Sequence, residues 1–228
     1  MQQDHNAPPL NPLPGVVWLL ALPIIAMEVV LSLGERGLAG GPMALGWRMD
    51  AVQRFAFSPD YMRYMWDNGL FSAEGMLRFV SYAFVHGNFT HALMVVVMLL
   101  ALGKMVGEVF RPWAVLAVFF GAAAVGALAF GLVPGNTGAL IGGYPAVYGL
   151  IGAFTFLIWV RLLAQGANQY RAFTMIGFLL GAQLLFGQFF GGSYEWVADL
   201  AGFATGFFLS FAVSPGGWAH VVKRLRQR

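Results

Sequence analysis

The chain has 228 residues, 59% of them hydrophobic and 10% charged, with a formal net charge of +3 and a mean hydropathy of +0.70. Soluble domains carry about 25% charged residues, so this chain cannot clothe a water-facing surface. Its polar groups are clustered and leave apolar runs of about 20 residues, enough to cross a bilayer core, which excludes a soluble enzyme, a disordered chain and a conventional nucleic-acid binder.

Residues 1–15 are polar and proline-rich and predict a flexible tail. A cleaved signal peptide is not expected, because no basic stretch precedes the first apolar run and no small-residue cleavage site interrupts it. The first span is predicted at 16–33, with Pro23 and Glu28 inside it, and a loop of more than forty residues follows, from Gly34 to about Arg78. That loop mixes Trp47, Arg48, Phe55, Phe57, Tyr61, Tyr64 and Trp66, a blend of aromatic and charged side chains that suits the membrane interface. Five further spans are predicted at 89–109, 113–133, 138–160, 172–190 and 196–213, with a basic tail at 214–228 that holds Lys223, Arg224, Arg226 and Arg228. The expected fold is an all-α membrane protein, one bundle of six spanning helices with a long amphipathic first external loop.

Glycines mark the later spans: Gly142, Gly143, Gly149 and Gly152 in the fourth, a GxxxG at Gly177 and Gly181 in the fifth, and another at Gly202 and Gly206 in the sixth. Small residues let helix backbones approach closely, so these spans are expected to pack as a tight bundle. Lys104, near the end of span two, and Arg111, just after it, flank the turn between spans two and three, and Arg161 and Arg171 lie between four and five, whereas the other short turns lack basic residues. The positive-inside rule then places both termini in the cytoplasm and the first loop outside, although that loop's five arginines argue the other way.

An ionisable group within a span is costly and therefore a functional candidate. Glu28, His91 and Asp199 stand out. The plainer readings are a Glu28 paired with a nearby donor, a His91 satisfied within the bundle, and an Asp199 at the membrane edge near Glu195. Asp199 precedes the Gly202/Gly206 face by three residues, which turns it toward the packed side of its helix, so a buried, protonated Asp199 bonded to a hydroxyl is the sharper reading. No cysteine is present, which excludes disulfides and thiol chemistry. Too few His and carboxylate residues are available for a metal site, and no cofactor is expected. Inverted repeats of the transporter kind are not visible, and no serine–histidine pair is apparent.

Three motifs nevertheless follow one another on successive predicted spans. His86-Gly87-Asn88-Phe89-Thr90-His91, preceded by Leu77-Arg78, resembles the HxxxxH of the rhomboid intramembrane serine proteases. Gly142-Gly143-Tyr144-Pro145-Ala146-Val147-Tyr148-Gly149-Leu150-Ile151-Gly152 is similar to their GxSGxxYGLxG, and Asp199-Leu200-Ala201-Gly202-Phe203-Ala204-Thr205-Gly206 to their HxxGxxxG. The resemblance covers about residues 16–213 and implies the six-span rhomboid fold.

It also implies that Tyr144 stands at the serine position, Asp199 at the catalytic histidine position, Pro145 at the glycine after the nucleophile and Val95 at the oxyanion asparagine. His91 matches an accessory oxyanion histidine, and Tyr148 the tyrosine beside the catalytic histidine. Acyl transfer needs nucleophile, base and oxyanion donor together, so the expectation is an inactive member, a pseudoprotease. A GxTG-like turn at Gly135-Asn136-Thr137-Gly138 lies ahead of the fourth span and would discard the better glycine frame. Tyr144 with Asp199 as its base would require ionising a phenol in a low-dielectric site. The preferred reading makes Tyr144 and Asp199 a hydrogen-bonded pair that replaced the dyad, with Pro145 tolerated inside a spanning helix.

By resemblance to inactive members, the chain is expected to bind transmembrane helices of client proteins in the bilayer and to influence their assembly or turnover. His86, Tyr148, Gln183 and Gln188 are the candidate contacts. A bacterial inner membrane is the expected location, with no nucleic-acid or small-molecule partner. The alternatives are an active rhomboid serine endopeptidase with a displaced catalytic set, a structural subunit of a membrane complex, and a transporter.

Overall fold

The computed structural model describes residues 12–190 and 193–215, and of 184 and 186–190 the backbone alone. In chain order the helices are α1 (Gly15–Glu35), α2 (Trp47–Phe55), α3 (Pro59–Asn68), α4 (Ala73–Ser81), α5 (Phe89–Gly107), α6 (Pro112–Gly131), α7 (Tyr144–Ala164), α8 (Thr174–Phe190) and α9 (Glu195–Val213). Three short 3₁₀ turns, Pro42–Gly46, Tyr82–Phe84 and Gln169–Phe173, join them. Among the described residues five helices, α1, α5, α6, α7 and α9, are long and apolar enough to cross a membrane. This is an integral membrane protein. The sixth apolar helix, α8, has 17 residues.

The interior centres on α7, which packs most extensively against α9 and α6. Side chains do not set the spacing at that contact; backbone does. A Cβ on Gly202 would run into the Pro145 carbonyl oxygen, one on Gly206 into that of Gly149, and one on Gly152 into that of Phe203. The glycines of the fourth and sixth predicted spans thus face each other, as expected of small residues between spanning helices. The fifth span departs from that expectation. Gly177 and Gly181 of α8 have nothing within 4 Å of where a Cβ would stand, and Phe178 between them is 74% exposed. Its GxxxG faces outward because α8 lies at the edge of the described bundle.

Helix boundaries follow local chemistry. Span four, expected from 138, begins only at Tyr144. Leu140 is instead held extended by two backbone hydrogen bonds to Phe57, at 2.9 and 3.1 Å, and the Gly142 N–H donates to the Tyr82 carbonyl at 2.9 Å. Pro145 consequently sits in the first turn of α7 rather than inside it, where its missing N–H costs no helical hydrogen bond. Pro23 is accommodated within α1 without breaking it.

Between α1 and α5 the chain forms α2, α3 and α4, each short and amphipathic in composition. Ser58 caps α3 and Ser72 caps α4 through their side-chain oxygens. Met43, Met49, Trp66 and Phe71 are exposed, whereas Phe57, Met62 and Met65 are buried. The tails expected at 1–15 and 214–228 lie, save residues 12–15 and 214–215, outside the described residues.

Candidate functional site

The site is assembled where the segment before α5 meets the first turn of α7. Asn88 starts α5: its side-chain oxygen accepts from the His91 N–H at 2.9 Å, filling one donor of the open first turn. That leaves His86 just outside the helix and places His91 within it. His86 is 1% exposed, and its Nε2 accepts from the Gly143 N–H at 3.2 Å. An imidazole accepting at Nε2 is neutral, with its proton on Nδ1. Burial, and then the neighbouring His91, push its pKa down to about 3.

His91 lies edge-on to His86, with ring centroids 5.0 Å apart. It also stacks on Tyr144, at 5.1 Å with 18° between the planes. Its Nε2 is buried and has no hydrogen-bond partner among the described residues. Gly142, at φ +90°, makes room for that nitrogen, since a Cβ there would collide with it; positive φ and close approach both require glycine. A Cβ on Gly143 would lie 2.8 Å from Val95 Cγ1, so the buried Val95 closes the α5 side. Tyr144 opens α7 half-buried, and Tyr148, one turn on, is buried.

Both histidines, the Gly142–Gly143 turn and the facing glycines of α7 and α9 fall within residues 73–216, the stretch matched by the Rhomboid domain family model. The chain belongs to the rhomboid family. The comparison with curated proteins finds no match. The matched rhomboid domain runs from α4 through α9 and leaves α1, α2 and α3 outside it.

On the α9 side of the rhomboid domain, Asp199 is 3% exposed. The expected Tyr144–Asp199 hydrogen bond is not formed. Asp199 Oδ2 accepts instead from Gln183 Nε2 of α8 at 2.8 Å. The Tyr144 ring is taken up by stacking on His91, and Gln183 supplies the polar side chain that α8 brings to α9. Asp199 remains within electrostatic range of both Tyr144 and Tyr148. Asp199 Oδ1 and Gln183 Oε1 are both buried without a partner. Gln183, expected among the client contacts, is thus engaged within the bundle; the Gln188 side chain lies outside the described residues.

The most heavily bonded side chain near the site among the described residues is one that no sequence motif marks. Arg48, on α2 and 8% exposed, donates to both Glu28 oxygens at 2.8 and 2.9 Å. It also donates to both Glu35 oxygens at 2.6 and 3.0 Å and to the His86 carbonyl at 2.8 Å. Ser32 donates to Glu28 at 2.6 Å. The guanidinium fork suits two carboxylates at once, and its hydrogen bonds to Glu28 and Glu35 hold it firmly charged, well above its usual pKa. Glu28 is therefore a paired carboxylate. The signal was present in the spacing: Glu28, Ser32 and Glu35 fall at i, i+4 and i+7, one face of a helix.

Further hydrogen bonds hold α2–α4 and the segment after them against the rest of the bundle. Arg63 donates to the Gly131 and Asn136 carbonyls at 3.3 and 2.6 Å, Arg78 to the Ala56 carbonyl at 3.3 Å, and the Tyr82 hydroxyl to the Ala123 carbonyl at 2.9 Å. Asn136 of the GxTG-like turn bonds to Phe130 and Gly138, a turn-forming role. Among the described residues no three His, Asp or Glu side chains converge as metal ligands. The arrangement holds a buried neutral histidine, an open imidazole nitrogen and a stacked phenol. Serine hydroxyls of the described residues make hydrogen bonds to carboxylates, backbone, Tyr61 and Arg48, and none to a histidine.

Proposed function

We propose that this rhomboid-family protein is a non-catalytic, six-span member that binds transmembrane helices of client membrane proteins and influences their assembly or turnover. The observation that carries the reading is the Tyr144 ring stacked on His91 while Asp199 is bonded to Gln183. In the register of the rhomboid motifs these are the nucleophile and base positions, and a stacked phenol with an amide-bound carboxylate there supports a site without acyl transfer. Val95 at the oxyanion position offers no hydrogen bond.

The sixth span is α8. Its 17 residues rise about 25 Å at 1.5 Å each, and the Gln169–Phe173 turn extends it. Lys104, Arg111, Arg161 and Arg171 around the short loops support cytoplasmic termini, with α2–α4 on the opposite face. A bacterial inner membrane suits the compact six-span form. Client helices enter between α5 and α8. The unfilled Gly177 and Gly181 positions of α8 support this, because small residues are where spanning helices dock.

The competing reading, an active serine endopeptidase with a displaced catalytic set, draws on family membership and on the unpartnered His91 Nε2. Client binding is tested with a photo-crosslinking amino acid at Phe178 in lipid nanodiscs that also hold single-span helices. The reading expects crosslinks that Gly177→Ile and Gly181→Ile abolish. Absence of crosslinks to any helix contradicts it, and capture of one fixed partner in equal stoichiometry would instead indicate a structural subunit.

A further inference from the structure

Where α1 ends and α5 begins, the two helices leave a lateral groove of about 400 Å³, within the range of small-molecule sites. Val29, Leu33, Phe89 and Leu93 line it and are 38–53% exposed. Its polar lining comes from Glu28, Ser32 and Arg36. Two of these three are already used. Both Glu28 oxygens bond to Arg48, and the Ser32 hydroxyl donates to Glu28. Glu35, next to Arg36 in sequence, gives both its oxygens to Arg48 as well.

Arg36 is therefore a groove-lining cation whose nearby carboxylates are committed elsewhere, and no ion pair of its own is formed among the described residues. It caps α1 at Glu35, and a helix of 21 residues is about 31 Å long, so the apolar groove lies at hydrocarbon depth and Arg36 at headgroup level. A phospholipid separates apolar chain from phosphate along this same direction. An arginine fork pairs with phosphate through charge-assisted hydrogen bonds. A zwitterionic headgroup would set its own cation beside Arg36; an anionic one would not.

We propose that the α1–α5 groove is a binding site for an anionic phospholipid, with an acyl chain along Val29, Leu33 and Leu93 and the phosphate on Arg36. Glu28 is both a wall of this groove and an anchor of Arg48, so a bound lipid braces the contact through which α2 holds the His86 segment.

Native mass spectrometry of the full chain in neutral detergent, with phosphatidylglycerol or phosphatidylcholine added, tests the site. Charge-assisted contacts of this kind set the expected preference for phosphatidylglycerol at about tenfold. Arg36→Gln should bring retention of phosphatidylglycerol down to that of phosphatidylcholine. Leu93→Trp, which fills the groove from a half-exposed position, should weaken both lipids, while Arg54→Gln, outside the groove, should change neither. Equal retention of the two lipids by the unmodified chain overturns the proposal, as does a preference that survives Arg36→Gln. Full displacement by inorganic phosphate would reduce the site to an anion site without lipid, and displacement by a hydrophobic helix peptide crosslinking at Leu93 would assign the groove to protein; either also overturns it.

Discussion

Gln183 donates its amide N–H to Asp199 Oδ2 at 2.8 Å across the α8–α9 contact, and the other oxygen of each group, Gln183 Oε1 and Asp199 Oδ1, is buried without a partner. One proton shared between these two oxygens would complete a cyclic acid–amide pair. Asp199→Asn should therefore leave the thermal midpoint in detergent unchanged or raised, because an Asn amide supplies the missing donor. Asp199→Leu should lower stability by about 1–3 kcal/mol, the cost of a buried polar group left unsatisfied. An Asn variant as unstable as the Leu variant would contradict the pairing.

Arg48 offers a harsher test. Its side chain and that of Glu28 are 9% and 7% exposed, and removing one member of a buried pair strands the other. Arg48→Met should cost about 3–5 kcal/mol in unfolding measurements. Arg48→Lys should restore little, because a point cation cannot serve two carboxylates with a planar fork. Adding Glu28→Gln to Arg48→Met should recover part of the loss; no recovery would mean that the two are not coupled.

His86 predicts an acid response. It is neutral when folded, with its pKa pushed down to about 3 from an ordinary value of 6.5. Below the ordinary value the unfolded chain binds a proton that the folded chain refuses. The contribution is thus present above about pH 6.5 and lost as pH falls toward 3, at up to about 1.4 kcal/mol per pH unit. His86→Gln keeps an acceptor for the Gly143 N–H and should flatten that slope in unfolding curves taken between pH 7 and 4. A slope unchanged in the variant would assign the acid response elsewhere.

Two GxxxG motifs that look alike in sequence should behave oppositely. Gly206→Ala forces a methyl into the Gly149 carbonyl and should destabilise by about 1–3 kcal/mol or more, as overpacking does. Gly181→Ala meets open space and should be neutral or stabilising by about 0.5–1 kcal/mol, since alanine favours helix. Thermal unfolding of the pair checks both, and a destabilised Gly181→Ala would contradict the exposed placement of that face.

The contrast shows what a sequence of this kind discloses. Apolar run length located α1, α5, α6, α7 and α9 to within a few residues at most ends, and the glycine frames of α7 and α9 indicated their close approach. The start of α7 was hidden because Gly138–Gly143 is as apolar as the span behind it, yet is held extended by Phe57, far upstream. Asp199 was legible as a buried carboxylate, but its partner was not. Tyr144 and Gln183 both carry donors, and only the stacking of Tyr144 on His91 decides between them. Arg48 escaped for a related reason: its carboxylates lie on α1, beyond a turn whose path the spacing does not fix.

Tyr144 and Asp199 are proposed to carry out no peptidase chemistry. The decisive experiment incubates the protein in lipid with a panel of single-span substrates, beside an active rhomboid and the Tyr144→Ser/Asp199→His double variant. No cleavage by the unmodified chain is expected under conditions where the active rhomboid cuts. Renewed cleavage by the double variant would strengthen the assignment of the two positions. Cleavage by the unmodified chain would contradict it and place a working nucleophile elsewhere in the bundle.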